Sequence, residues 1–305
     1  MIEQVQQKGA GSQSRSPRQS AYLFLAPALI PIFIFFFVPA IGAFVISFTD
    51  FDIYSLGDLQ NARFVGFKNY IQLFEDALFW KAMQNTFYYV LVGGPLSVAL
   101  SLGMALLVNS KLARFKGFFR TVYFVPVVTT LVAVAVVWRF MYHPRFGILN
   151  YALSFVGIDP VDWLGDPIWA MPAIILLSAW KGFGYNMIIF VAGLQSIPTE
   201  LYEASRIDGA SAWQQFKSIT LPMLVPTSVF VGIVTMISNF QLFAEPYVMT
   251  QGGPVHSTLS IVLLMYEQGF RWWNMGYSAA IGFILFGIIL IISLLQSRLQ
   301  KHSYP

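Results

Sequence analysis

The stretch IPTELYEASRIDGASAWQQFKSITLPML, Ile197 to Leu224, is polar and charged, yet it sits between two apolar runs. The run before it, 167–199, is broken once, at Lys181, and the run after it, 218–244, has no Asp, Glu, Lys or Arg. Local signals shape the stretch itself. Thr199 can cap a helix from Glu200 to Asp208, with two Glu near its positive end. Gly209 suits the left-handed residue that closes a helix. Ser211 and Gln214 have the spacing of a capping box, which starts a second short helix. Pro222 then stands at the entrance of the next apolar run. The reading is a helix–Gly–helix elbow between two membrane helices. Its first helix offers Tyr202, Ala204, Ser205 and Ile207, a mostly small surface fit to dock in a groove of another protein. On local physics alone, an interfacial hairpin lying on lipid headgroups stands equally open.

Working outward, the remaining uncharged runs are 19–49, 82–110, 121–138 and 272–297. A helix needs about 20 apolar residues to cross the bilayer core. The 121–138 run reaches that length with Phe118, Phe119 and the aromatic end near Tyr142 included. Six helices follow: 21–48, 84–108, 118–141, 168–194, 219–243 and 275–297. The composition agrees. Of 305 residues, 57% are hydrophobic and 10% are charged, against about 25% charged in soluble domains. No single globular core can hide that much apolar surface, so an ordinary soluble enzyme and a disordered chain are excluded. The first run is too long for the h-region of a signal peptide, about 7–15 residues, and reads as a retained span. Pro27, Pro31 and Pro39 within it predict an irregular helix.

Basic residues set the expected orientation. Lys8, Arg15 and Arg18 lie in the N-terminal tail, Lys111, Arg114, Lys116 and Arg120 follow the second span, and Arg298 and Lys301 end the chain. The loops 50–81 and 142–167 are acidic by contrast. Both termini are expected on the cytoplasmic side. The elbow breaks this pattern: it holds Glu200, Glu203 and Asp208 against Arg206 and Lys217, so something besides topology selected it.

The segment EASRIDGASAWQQFKSITLP resembles the EAA loop of binding-protein-dependent ABC importer permeases. That pattern is E-A-A, three residues, Gly, and further on a hydrophobic-x-L-P ending. It maps here onto Glu203, Ala204, Ser205, Gly209, Ile219, Leu221 and Pro222, with Ser205 in place of the second alanine. WKGFGYNMIIFVAGLQSIP (Trp180 to Pro198), FVGFKNY (Phe64 to Tyr70) and TQGGPVHST (Thr250 to Thr258) resemble the carbohydrate branch, specifically the first permeases of maltose, lactose and glycerol-3-phosphate importers. The likeness spans residues 20–298. Some maltose-type first permeases carry a large periplasmic insertion and extra N-terminal helices; the shorter six-span form is the better match here.

The resemblance implies an all-α integral membrane protein with the type I ABC importer permease fold, six spans, and both termini inside. Its expected parts are a cytoplasmic tail 1–19, a permease domain 20–298 holding the coupling loop 198–222, and a tail 299–305. It implies a multi-pass protein of a bacterial-type inner membrane that forms half of a heterodimeric pore. The implied partners are a second permease, a cytoplasmic ATPase dimer, an extracytoplasmic solute-binding protein, a carbohydrate solute and the lipid bilayer. Tyr202, Glu203, Ala204, Ser205, Arg206, Asp208 and Gly209 then form the ATPase-coupling surface. The chain has no G-x-x-x-x-G-K-[ST], so ATP chemistry is expected on the partner, with no cofactor held by this chain.

Candidate pathway residues come from the spans. Lys181 falls mid-run, where a charge costs about 3 kcal/mol and should face protein or water. Gly182 and Gly184, beside Tyr185 and Asn186, permit local unwinding of the kind seen at transporter sites. A late start of that helix, with Lys181 snorkelling to headgroups, stands beside this reading. Asn239 and Gln241 suit sugar hydroxyls, and Phe240 offers a ring face, with Ser238, Phe243 and Glu245 nearby; interhelical hydrogen bonding is the plainer alternative. Trp272 and Trp273 read as interface anchors, Arg139 and Tyr142 as the outer end of the third span, and Gly252-Gly253-Pro254 as a turn.

Two other classes fit the sequence less well. A membrane enzyme lacks its parts: there is no H-E-x-x-H and no cysteine, and the three histidines lie in loops or the tail, unsuited to a metal or a serine base. A secondary transporter or channel driven by an ion gradient remains the alternative, although no internal repeat is visible and the elbow would have no role there.

Overall fold

The computed structural model describes residues 17–110 and 115–302. Lys8, Arg15, Lys111 and Arg114, used above for orientation, lie outside the described residues. The chain divides into two compact units, 1–46 and 47–305.

In the first unit, α1 (Pro17–Ile32) and α2 (Val38–Ile46) are joined through a π-helical turn, Phe33–Phe37. That turn lies between Pro31 and Pro39, which cannot donate to the helical ladder, so the register loosens where the prolines predict irregularity. Phe24–Ile46 has a mean hydropathy of 2.7, apolar enough to cross a bilayer.

The second unit is a helical bundle. Short helices α3 (Ile53–Gly57) and α4 (Lys68–Glu75) lead into the central α5 (Ala77–Asn109). Asp52 starts α3 by accepting from the backbone N–H groups of Tyr54 and Ser55, and the Ser55 contact holds its carboxyl below the ordinary 3.8. Asp76 caps α5 through the Leu78 N–H at 2.8 Å. Then come α6 (Lys116–Val128), α7 (Leu131–Met141), α8 (Ile148–Ser154) and α9 (Ala170–Gln195). The elbow helices are α10 (Thr199–Ile207) and α11 (Ala212–Gln215), followed by a π-helical turn at Phe216–Thr220 and by α12 (Leu221–Met223). The chain finishes with α13 (Val225–Phe240), α14 (Ala244–Met249), α15 (Ile261–Tyr266) and α16 (Met275–His302).

Helix α5 packs along α9 and α13, α6 lies on α9, and α16 closes on α13 and α15. Three apolar clusters hold this arrangement. One joins α5, α13, α15 and α16 through Phe79, Phe240, Leu263 and Ile281. A second joins α7 and α9 through Trp138, Tyr142, Ile174 and Leu177. The third, at the elbow end, gathers Val108, Phe190, Leu194, Leu224 and Val231.

Two expected helices are not single. The third span bends by 96° between Val128 and Leu131. Thr129 and Thr130 are extended, and the Thr129 hydroxyl donates to the Pro126 carbonyl at 2.7 Å. A β-branched pair behind a proline thus turns the chain, which apolarity alone did not reveal. The fifth span bends by 62° at Leu224, where Pro226 opens α13 with no N–H to continue the preceding turn. Among the described residues, four helices are long and apolar enough to cross a membrane, and up to six if each bent pair is one span.

Candidate functional site: a capped elbow and a polar cavity

The elbow is built from local hydrogen bonds. Gly209 has φ +75°, the Ala210 N–H donates to Ser205 O at 2.9 Å, and the Gly209 N–H donates to Arg206 O at 3.1 Å. Those two bonds are the Schellman pattern, and they require the left-handed residue that glycine supplies. The capping box at Ser211 is closed both ways: the Gln214 N–H reaches Ser211 Oγ, and the Ser211 N–H reaches Gln214 Oε1 at 2.7 Å. The start of α10 differs from expectation. Pro198 holds the cap position and Thr199 is the first helical residue, with no side-chain cap. Pro198 fixes an extended entry that leaves no place for a threonine cap.

Side chains then brace the two arms. Gln215 Nε2 donates to Ser205 Oγ at 2.8 Å, and Ser205 Oγ donates to Tyr202 O at 2.9 Å. Tyr202 Oη pairs with Thr220 Oγ1 at 2.8 Å. Tyr202 and Ser205 therefore face inward as struts. Glu203, Ala204, Arg206, Asp208 and Gly209 are exposed, and so is Ile207, at 87%. Trp213, stacked on Phe216, is a second large exposed side chain. An aromatic in a loop of mixed charge carries no periodic signal.

Farther along the bundle, a cavity of about 370 Å³ opens between α5, α9, α13 and α14. Lys181, Tyr185, Asn186 and Asn239 all line it, together with Tyr89, Ser97, Ser178, Thr235, Ser238 and Glu245. Lys181 lies inside α9 rather than before its start, and its Nζ donates to Val127 O at 3.4 Å. Asn186 is buried and donates to Thr235 Oγ1 at 2.9 Å, so its amide is already engaged across helices. Phe240 turns to the opposite side of α13, into the core against Phe87 at 5.3 Å. Gln241 is exposed in the turn after α13, outside the cavity. Glu245, on the short α14, enters the lining although it follows the span in sequence.

One further expectation changes. α9 is unbroken through Gly182 and Gly184, so the glycines do not unwind it. Gly184 instead lets the Tyr123 carbonyl of α6 come into direct contact. Tyr142 ends α7, as expected of the close of the third span; it is 1% exposed and donates its hydroxyl to Ala173 O at 2.7 Å. The Gly252 turn, at φ +82°, is tied into the bundle through Asn85, which donates to His256 O and Leu259 O. Trp272 and Trp273 precede α16 and are exposed.

The family described as binding-protein-dependent transport system inner membrane component matches residues 96–303. The lactose transport system permease protein LacF of Rhizobium radiobacter is 36% identical over 282 residues, covering 91% of this chain and 92% of that protein. The trehalose/maltose transport system permease protein MalF of Thermococcus litoralis is 34% identical over 283 residues, covering 92% and 93%. A chain of the bacterial alginate ABC transporter, solved in complex with alginate pentasaccharide-bound periplasmic protein, superposes with a TM-score of 0.78 at 25% identity, covering 93% of this chain and 94% of that one. With its helical bundle and its EAA-type elbow, the chain belongs to the binding-protein-dependent transport system inner membrane components, the permeases of ABC importers.

Proposed function

We propose that this chain is one of two unlike permeases in a carbohydrate importer, paired with a second permease, driven by a cytoplasmic ATPase dimer, and fed by an extracytoplasmic solute-binding protein. In this reading residues 20–298 form the permease domain, six spans cross a bacterial-type inner membrane when each bent pair counts once, and both termini lie in the cytoplasm. The observation that carries it is the elbow: capped at Gly209 and Ser211, braced by Gln215, and presenting Glu203, Ala204, Ile207 and Asp208 outward. Such a surface suits a cleft of the ATPase subunit. Loop 198–222 is then the coupling loop, in which Tyr202 and Ser205 hold shape while the exposed residues make contact. Closure of the ATPase pair moves two such elbows, and rigid rocking of the attached helices opens the pathway to each side in turn. The names of relatives that carry lactose, trehalose or maltose support the carbohydrate class.

The chain has no cysteine, which gives a direct test. In the assembled importer, Ala204→Cys should crosslink to a cysteine placed in the ATPase cleft and be shielded from reagents added outside. Labelling from outside, or no crosslink in any nucleotide state, would overturn the reading.

A further inference from the structure

The cavity holds one cation and one carboxylate. Lys181 comes from α9 and Glu245 from α14, and both line the same roughly 370 Å³ space. No ion pair within 4.0 Å joins them. The Lys181 ammonium instead reaches the Val127 carbonyl at 3.4 Å. The rest of the lining mixes neutral polar side chains, among them Tyr89, Ser97, Ser178, Ser238 and Asn239, with apolar ones, Val127, Leu131, Ile175 and Val234. Separated charges of opposite sign, set in a wall of reduced dielectric, cancel at a distance and act only at close range. With Lys181 alone, the cavity would draw anions; with Glu245 alone, it would draw cations. Together they leave a site with strong donors and acceptors and no net charge. Hydroxyls both donate and accept, so a neutral polyol can satisfy both ends, whereas a charged solute meets one attractive and one repulsive group. Repulsion of the unwanted class is a common route to specificity.

We infer that Glu245 is a specificity-determining residue that balances Lys181, so the cavity admits uncharged, hydroxyl-rich solutes and gives anions no advantage. The inference deepens the carbohydrate-importer reading and rests on it for its place in a pathway. The charge balance itself can be measured without transport.

The test uses the purified complex carrying Ser238→Cys as the single cysteine of this chain. Cysteine modification is followed on this chain by intact mass, with three methanethiosulfonates: neutral hydroxyethyl, anionic sulfonatoethyl and cationic trimethylammoniumethyl. Each rate is divided by that of a free thiol in solution. In the native cavity the neutral reagent should react fastest, and the two charged ones should be alike. Adding Glu245→Gln should raise the anionic-to-cationic ratio about tenfold, and adding Lys181→Met should lower it by a similar factor. The double variant should return it near the native value. A ratio that Glu245→Gln leaves unmoved would overturn the inference. So would single variants that shift it in the same direction. Should Glu245→Gln fail to assemble, the Lys181→Met shift alone decides, because an unbalanced carboxylate must then favour the cation. Loss of the elbow crosslink with this pattern intact would remove the importer reading and leave the charge balance standing.

Discussion

The elbow and the cavity lie in one bundle but are specified in opposite ways. The elbow closes within about two turns of chain on either side of Gly209, through bonds such as Ala210 N–H to Ser205 O and Gln215 Nε2 to Ser205 Oγ. The cavity gathers side chains from α5, α9, α13 and α14, residues as far apart as Tyr89 and Glu245. One is a matter of backbone chemistry, the other of helix packing. The two should therefore fail differently.

The largest effect belongs to the packed side. Gly184→Val would drive a side chain into the Tyr123 carbonyl, a backbone atom that cannot swing aside. Separating α6 from α9 should cost about 3 kcal/mol or more, read as a marked fall in thermal stability of the purified complex. Gly182→Ala, where an added Cβ meets nothing within 4 Å, should stay within about 0.5 kcal/mol. Next comes Gly209→Asp. Space is free there, but φ +75° strains any residue with a Cβ by about 1–2 kcal/mol. ATP-dependent uptake should drop about tenfold, the factor that roughly 1.4 kcal/mol gives, while membrane assembly is kept. Normal uptake would break the comparison by showing that the elbow need not hold its shape.

Smaller still is Asn186→Ala, which strands the Thr235 hydroxyl in the bundle. A loss of about 1–3 kcal/mol should appear in the melting of the complex, and Thr235→Val added to it should recover part. Smallest is Ser211→Ala. It removes the α11 cap for about 1 kcal/mol, visible as faster hydrogen exchange at Gln214 with no change at the cavity. If Ser211→Ala moved cavity labelling instead, the two regions would not be independent.

How far the sequence could be read follows the same division. Gly209 and the Ser211–Gln214 spacing announce their own backbone geometry, because each needs only near neighbours. Apolar runs announce helices, but not where Thr129–Thr130 turns the chain, since that depends on which hydroxyl takes the Pro126 carbonyl. Lys181, Tyr185, Asn186 and Asn239 were found because polar groups in apolar runs stand out, and the structure brings these four to one cavity. Phe240 and Gln241 have side chains that suit a sugar, but consecutive residues point to different faces, and Phe240 is core. Glu245, expected beside Ser238 toward the outer half of the fifth span, reaches the cavity because the turn at 241–243 folds α14 back to it. Ser205, expected on the docking surface, braces the elbow instead, because its partner, Gln215, sits on another helix.

The struts inside the elbow have a mechanical consequence. Tyr202 to Thr220 and Ser205 to Gln215 bind the first arm to the segment that leads into α13. Under the proposed coupling, load applied at Ile207 would reach Pro222 as torque on a stiff bracket, with little of it absorbed by flexing of the bracket itself.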